Sequence, residues 1–425
     1  MARRGFAPAI LLVIVATSTL VVWRPTLAVG SLVGLTVVTF AIWQVRIAVL
    51  VYVAAEPFAG YLSTLSGSAI KLIGAGMFVA WVIRVVRDGR RVHLGQLALL
   101  GAAALLVVLL ASTVANSNGS AGLATSIRYV SYLAALVVLV DTMRTRLAVE
   151  TVAAVFVLSC TVAAIFGFVH FLTSGGGRAA GPMPDANDFA FYLISAVPFA
   201  VMLARRPTRW RHAYSLAVVI LLLTTLTTFS RGAIVGLAAM LVVAIALGLI
   251  RMRSVVVGAS ALAVAVGAVV YLAPTLVERS LQQKQYIASS NVTSRYSSWK
   301  IAAEVTADHP LLGSGPGGFQ INSSRYSAGQ ADTTHLDVAH EMYLQVSSEL
   351  GLLGLGAFVT VLAGGILGAR RALRRVGTQP VAAAVLVSFA GTLVAAAFLS
   401  EQYYLPIWLL AAFGATLDPM GRGVV

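Results

Sequence analysis

Three side chains in this sequence have the type and setting to hold a phosphate or move a proton: Arg231, Arg295 and His340. Arg231 stands in the run FSRGA at 229–233, a turn between two apolar runs. A guanidinium there must pair with something, and its fork binds two oxygens at once, which suits phosphate. The other reading is a surface arginine that snorkels to the interface. His340 opens the run HEMYL at 340–344, where a helix leads into the next apolar segment. Imidazole titrates near neutral pH, so it suits a general base, the alternative being a capping or core histidine. His340-Glu341 does not complete a zincin motif, because the second histidine would fall at Leu344. His335, Asp337 and His340 remain as a loop cluster that could ligate a cation.

The elements that must carry these groups are membrane helices. Hydrophobic residues make up 59% of the 425 and charged residues 11%. The apolar segments are continuous runs of Leu, Val, Ala and Ile, long enough to cross a roughly 30 Å hydrocarbon layer. A β-barrel would need short segments of alternating polarity, so the expected fold is all-α, a polytopic transmembrane bundle. Helices are expected near 6–22, 27–43, 47–63, 69–86, 96–115, 122–140, 147–173, 187–203, 213–229, 231–250, 254–273, 345–368, 380–399 and 402–418, about 12–14 in number since 47–63 and 402–418 are weak. The basic start and apolar run of the first 28 residues are read as an uncleaved first helix, because no small-x-small cleavage site follows.

The net charge of +15 would admit nucleic acid as a partner, but the charges sit between the apolar segments, which argues against it. With the N-terminus inside, the clusters at 3–4, 46, 84–91, 144–146, 205–211, 251–253, 370–375 and 422 all fall on the cytoplasmic side and hold 20 of the 30 basic residues. The polar stretch 274–344 then lies outside the membrane, and its bases are exceptions to the positive-inside rule. The chain reads as one integral-membrane domain, 1–425, with 274–344 as an extracytoplasmic catalytic loop capping it. Within that loop a helix is expected over 294–305, stopped by His309-Pro310, then a glycine turn over 313–319. The only cysteine, Cys160, falls inside a helix, so packing alone must order the loop.

Other polar residues carry two readings each. Asp185 and Asn187 precede a helix after two prolines, which suits N-capping. Lys300, Arg279 and Lys284 suit a solvated helix face. Glu56 and Arg128 are charges inside apolar segments, costly unless paired, with each other or with Lys71. Glu401-Gln402-Tyr403-Tyr404 marks a turn before the last helix and could face a sugar.

Four runs occur in order: GPMPDANDF at 181–189, FSRGA at 229–233, the stretch from Arg295 through HPLLGSGPGGF to 319, and AHEMYL at 339–344 followed by Glu349-Leu350-Gly351. Together they resemble the bacterial O-antigen ligase and polymerase superfamily over about 180–370. The resemblance implies glycosyl transfer on the outer face of the bacterial cytoplasmic membrane. The donor would be an undecaprenyl-pyrophosphate-linked saccharide and the acceptor a hydroxyl of a glycan, lipid or protein. It further implies His340 as base, with Arg231 and Arg295 on the pyrophosphate, whose charge grows as the glycosidic bond breaks. Asp185, Asn187, Lys300, Arg325, Tyr343 and Tyr403 are the candidate substrate contacts. No metal and no cofactor are expected. A transporter or flippase of lipid-linked sugars is the rival, and it has no need of a base at position 340.

Overall fold

The structure, a computed structural model, describes residues 44–89, 92, 96–173, 177–272, 274–326 and 338–418. The helices expected at 6–22 and 27–43 lie outside these, as do His335 and Asp337. Among the described residues the chain is all-α: α1 (Val45–Ala55), α2 (Ala59–Leu65), α3 (Ala69–Arg87), α4 (Leu97–Ala115), α5 (Gly119–Thr142), α6 (Arg146–Thr173), α7 (Ala186–Ala204), α8 (Arg211–Thr227), α9 (Arg231–Ala246), α10 (Met252–Leu272), α11 (Pro274–Asp308), α12 (Gly318–Tyr326), α13 (Met342–Leu373), α14 (Gln379–Ala396) and α15 (Leu405–Leu417). Eight helical segments among them are long and apolar enough to cross a membrane, and three more are apolar but shorter. The protein is a multi-pass helical membrane bundle, and large apolar side chains such as Leu72, Val107, Val114 and Val242 stand exposed on its flanks, as lipid contact requires.

Two expected elements differ in detail. The segment at 47–63 is interrupted, because Pro57 forces a 3-10 turn over Glu56–Phe58 between α1 and α2. The helix expected over 294–305 begins twenty residues earlier, at Pro274, and runs unbroken to Asp308. No glycine or internal proline interrupts 275–308, so local propensity carries the polar sequence through. His309-Pro310 ends it as expected.

Where apolar surface gains nothing by leaving lipid, helices associate by close approach of small residues. Gly368 of α13 meets the backbone of Gly414 in α15, where an added Cβ would come within 2.2 Å of its carbonyl oxygen. Gly236 of α9 and Gly391 of α14 make the same kind of crossing. These contacts pack α13 on α15 and α9 on α14, and α15, buried along its whole length, lies inside the bundle.

The described basic clusters share one end of the bundle. Arg144 pairs with Asp141 at 2.5 Å, and Asp141 also accepts from Trp81 Nε1 at 2.7 Å. Arg146 and Arg206 both hold Glu150. Arg205 donates to Leu249 O at 3.0 Å, and Arg371 pairs with Asp418 at 2.8 Å. At the opposite end α11, α12 and the motif-bearing turns come together.

Candidate active site

The C-terminal end of α14 is the meeting point. Arg295 on α11 donates to the carbonyl of Phe398 at 3.3 Å. The start of α9 packs there too, since a Cβ on Gly232 would sit 3.4 Å from Phe398 Cβ. Tyr343, one residue into α13, donates to Leu393 O at 3.2 Å. Three segments distant in sequence, carrying Arg231, Arg295 and His340, are thus brought to one helix end.

A fourth segment closes the group. Arg178 donates through Nε to Thr228 O at 2.8 Å and through Nη2 to Asn187 Oδ1 at 2.6 Å, while Ala179 N donates to Thr227 O at 3.0 Å. The 178–187 segment is thereby fastened beside the turn that presents Arg231. Asp185 caps α7, accepting from Asn187 N at 2.6 Å and Asp188 N at 3.3 Å.

Charge and backbone both fit an anion. α7, α9 and α13 begin at this end, capped by Asp185, Ser230 and Glu341, so three helix N-termini present partial positive charge. Burial lowers the pKa of Arg295; Asp185 opposes that shift, and the neighbouring cations Arg178 and Arg231 add to it. Burial likewise lowers Arg178, against the pull of Asp185 and Asp188. Guanidinium groups stay protonated under such shifts, so mutually repelling cations are held together by the fold. An anion of more than one charge relieves that repulsion.

Phe229 (φ 52°) and His340 (φ 53°) are the only non-glycine residues with left-handed backbone among those described. Each directly precedes an N-cap. Such residues cost about 1–3 kcal/mol and persist where surrounding structure over-determines them, commonly at sites of function. His340 is exposed, in the bend ahead of α13. Beside it Glu341 accepts from Leu344 N at 2.5 Å, and burial pushes its carboxyl up.

The remaining candidates separate. Lys300 pairs with Glu304 at 3.8 Å with both side chains largely exposed, a solvated helix face. Arg325 lies on α12. The hydroxyl of Tyr403 donates to Glu349 Oε2 at 2.5 Å and its ring packs edge-on against Tyr129, so it braces α13 from within. Glu56 does not pair with Arg128: its Oε2 accepts from Tyr192 at 2.8 Å, and Arg128 lies 5.7 Å over the Tyr403 ring. Glu401 and Gln402 are fully buried and not turned outward, because the chain folds them inward over a 3-10 turn.

Arg178 was absent from the residues singled out by sequence, although its place after three glycines and just ahead of GPMPDANDF was a usable signal. Glu401 holds no hydrogen bond at either oxygen. Burial, with Asp188 and Asp185 nearby, pushes its carboxyl well up. Among the described residues no group of three or more His, Cys, Asp or Glu side chains is arranged to hold a metal.

The glycine turn does other work. Gly351 breaks α13 with φ 68°, freeing backbone groups on either side. Ser314 N and Gly315 N donate to Ser348 O and Glu349 O at 2.9 and 3.0 Å, and Leu352 N donates to Pro310 O at 2.8 Å. Asn118 Nδ2 holds Ser314 O and Pro316 O from the other side.

Residues 216–359, from within α8 to within α13, match the family model Wzy_C, described as O-antigen ligase. A comparison with curated proteins finds no match. The matched residues include Arg231, Arg295 and His340, and leave Arg178, Asp185 and Tyr403 outside.

Proposed function

We propose, from the match of residues 216–359 to the O-antigen ligase family model, that this chain works as members of the O-antigen ligase and polymerase superfamily do and moves a saccharide from an undecaprenyl-pyrophosphate-linked donor to an acceptor hydroxyl. The observation that carries this reading is the convergence of Arg178, Arg231 and Arg295 on the helix end that also receives the His340 segment. A pyrophosphate is the kind of anion such a cluster suits.

In this reading the acceptor oxygen attacks the anomeric carbon as its proton passes to the His340 imidazole. The bond from that carbon to the phosphate oxygen breaks on the opposite face, so the centre inverts. Polyprenyl pyrophosphate leaves with the bonding electron pair, and Arg231 and Arg295 stabilise its added charge more in the transition state than in the ground state. The apolar tail stays in lipid while the headgroup reaches the end of α14. The site faces the outside of the cytoplasmic membrane, because the basic clusters lie at the other end of the bundle.

The test is transfer by purified protein from a synthetic polyprenyl-pyrophosphate saccharide, in EDTA and without an energy source. Sugar on the acceptor, with one anomeric configuration opposite to the donor's, is the expected result. Movement of the lipid-linked sugar across vesicles without transfer would favour a flippase, and activity lost to EDTA and restored by a divalent cation would refute stabilisation by arginine alone.

A further inference from the structure

A second polar site lies outside the matched domain. Between α1, α2, the start of α3 and α5 is a cavity of about 160 Å³. That is room for about five waters at roughly 30 Å³ each, or for one pyranose ring. Its lining is unusual for a bundle that faces lipid: Glu56, Lys71 and Arg128 with the rings of Tyr52, Tyr132 and Tyr403, and hydroxyls from Ser63, Ser66 and Ser131. Charges at such places are costly and call for a function.

Glu56 is 1% exposed. Its Oε2 accepts from Tyr192 at 2.8 Å and from Tyr132 at 3.5 Å, whereas Oε1 has no hydrogen-bond partner. Lys71 and Arg128 are exposed, and among the described residues neither makes an ion pair or hydrogen bond with the protein. The cavity is therefore lined by a carboxyl oxygen without a hydrogen bond and by two cations without an ion pair, of which Arg128 lies over the Tyr403 ring. Its exposed rim at Ser63, Ser66 and Gly67 is at the same end of the bundle as the arginine cluster, since α2 is tied to the 178–187 segment by Tyr61 N donating to Pro182 O at 2.9 Å. Tyr403 ties the cavity to α13, with its ring in the lining and its hydroxyl on Glu349.

Tyrosine rings suit the C–H faces of a sugar, and serine hydroxyls with a free carboxylate oxygen suit its hydroxyls. Two cations without a carboxylate partner, Lys71 and the Arg128 that lies over the Tyr403 ring, suit an anion. We propose that this cavity binds one negatively charged sugar unit, acidic or phosphorylated, with its ring against the tyrosines, hydroxyls on Glu56 and its anionic group between Lys71 and Arg128. That the unit belongs to the acceptor glycan rests on the transferase reading; the binding itself does not.

The test uses the full-length protein in nanodiscs with glucuronate, glucose 1-phosphate and glucose as probes, read by ligand-observed NMR titration. Both charged sugars should bind at least about 10-fold tighter than glucose, and Lys71→Gln or Arg128→Gln should abolish that preference. Glu56→Gln, which keeps the shape, should weaken all three. Equal binding of charged and neutral sugars, or a preference that survives both substitutions, would overturn the proposal. A glycolipid with a phosphorylated headgroup, titrated in parallel, tells a lipid-borne unit from a soluble one by which binds tighter to wild type and loses more in Lys71→Gln. Where transfer is measurable, Lys71→Gln should raise KM for a charged acceptor with kcat kept. Binding without any transfer by wild type would sink the transferase reading and leave the site standing.

Discussion

The end of α14 and the kink of α13 are both built from distinctive sequence runs, yet they use them differently. At the kink, the turn at 310–316 and the residues around Gly351 pair backbone donors with backbone acceptors, and Ser112, Asn116 and Asn118 hold the carbonyls of Leu312, Gly313, Ser314 and Pro316. At the end of α14, Arg178, Arg231 and Arg295 crowd together and left-handed residues precede two of the caps. One region is closed by its own backbone contacts, and the other gathers three cations beside the carboxylates of Asp185 and Asp188. A recognisable run of residues can therefore mark a joint as readily as a reaction centre, and the contacts decide which.

The sharpest way to break that contrast is at His340. His340→Ala should lower transfer by roughly 10²- to 10⁴-fold while donor binding stays near wild type, because a general base acts in the transition state. Transfer at the wild-type rate would move the base elsewhere. Gly351→Ala should do the reverse. A Cβ there would lie 2.2 Å from Leu311 O in a left-handed backbone, so thermal stability should drop by at least about 1–3 kcal/mol. An unchanged melting curve would show that the joint is not needed.

Arg231→Ala should cost about 10- to 100-fold in turnover, the worth of one charge-assisted bond, and Arg231→Lys should recover part of it by keeping the charge without the fork. Equal, near-normal turnover in both would make Arg231 a snorkelling surface residue. The smallest effect concerns Glu401. Its folded pKa is raised, so the folded state keeps a proton that the unfolded chain loses above the ordinary value of 4.5. Stability should then be full below that value and decline as pH rises through it, by up to about 1.4 kcal/mol per pH unit. Glu401→Gln should flatten the decline in a thermal-shift series, and a wild-type profile already flat over that range would contradict a protonated Glu401.

The helical bundle and most segment boundaries among the described residues were legible because lipid length and hydropathy leave few alternatives. The arginine pattern likewise foretold which helix ends lie together. Harder to read was the continuous helix over Pro274–Asp308, whose polar surface has no apolar period strong enough to announce it. The pairing of Glu56 could not be read either, since Tyr192 lies 136 residues away in the chain.

The sequence by itself determined an all-α membrane protein, the candidate residues Arg231, Arg295 and His340, the stop at His309-Pro310 and the cap at Asp185, each set by local chemistry or by the thickness of the bilayer. Only tertiary structure decided that Arg178 joins the cluster, that Tyr403 and Tyr343 spend their hydroxyls inside the protein, that Glu401 is buried, and that Glu56, Lys71 and Arg128 line one cavity. Those outcomes depend on contacts between helices far apart in the chain, and small residues such as Gly236, Gly368, Gly391 and Gly414 set the helix approaches that shape the bundle.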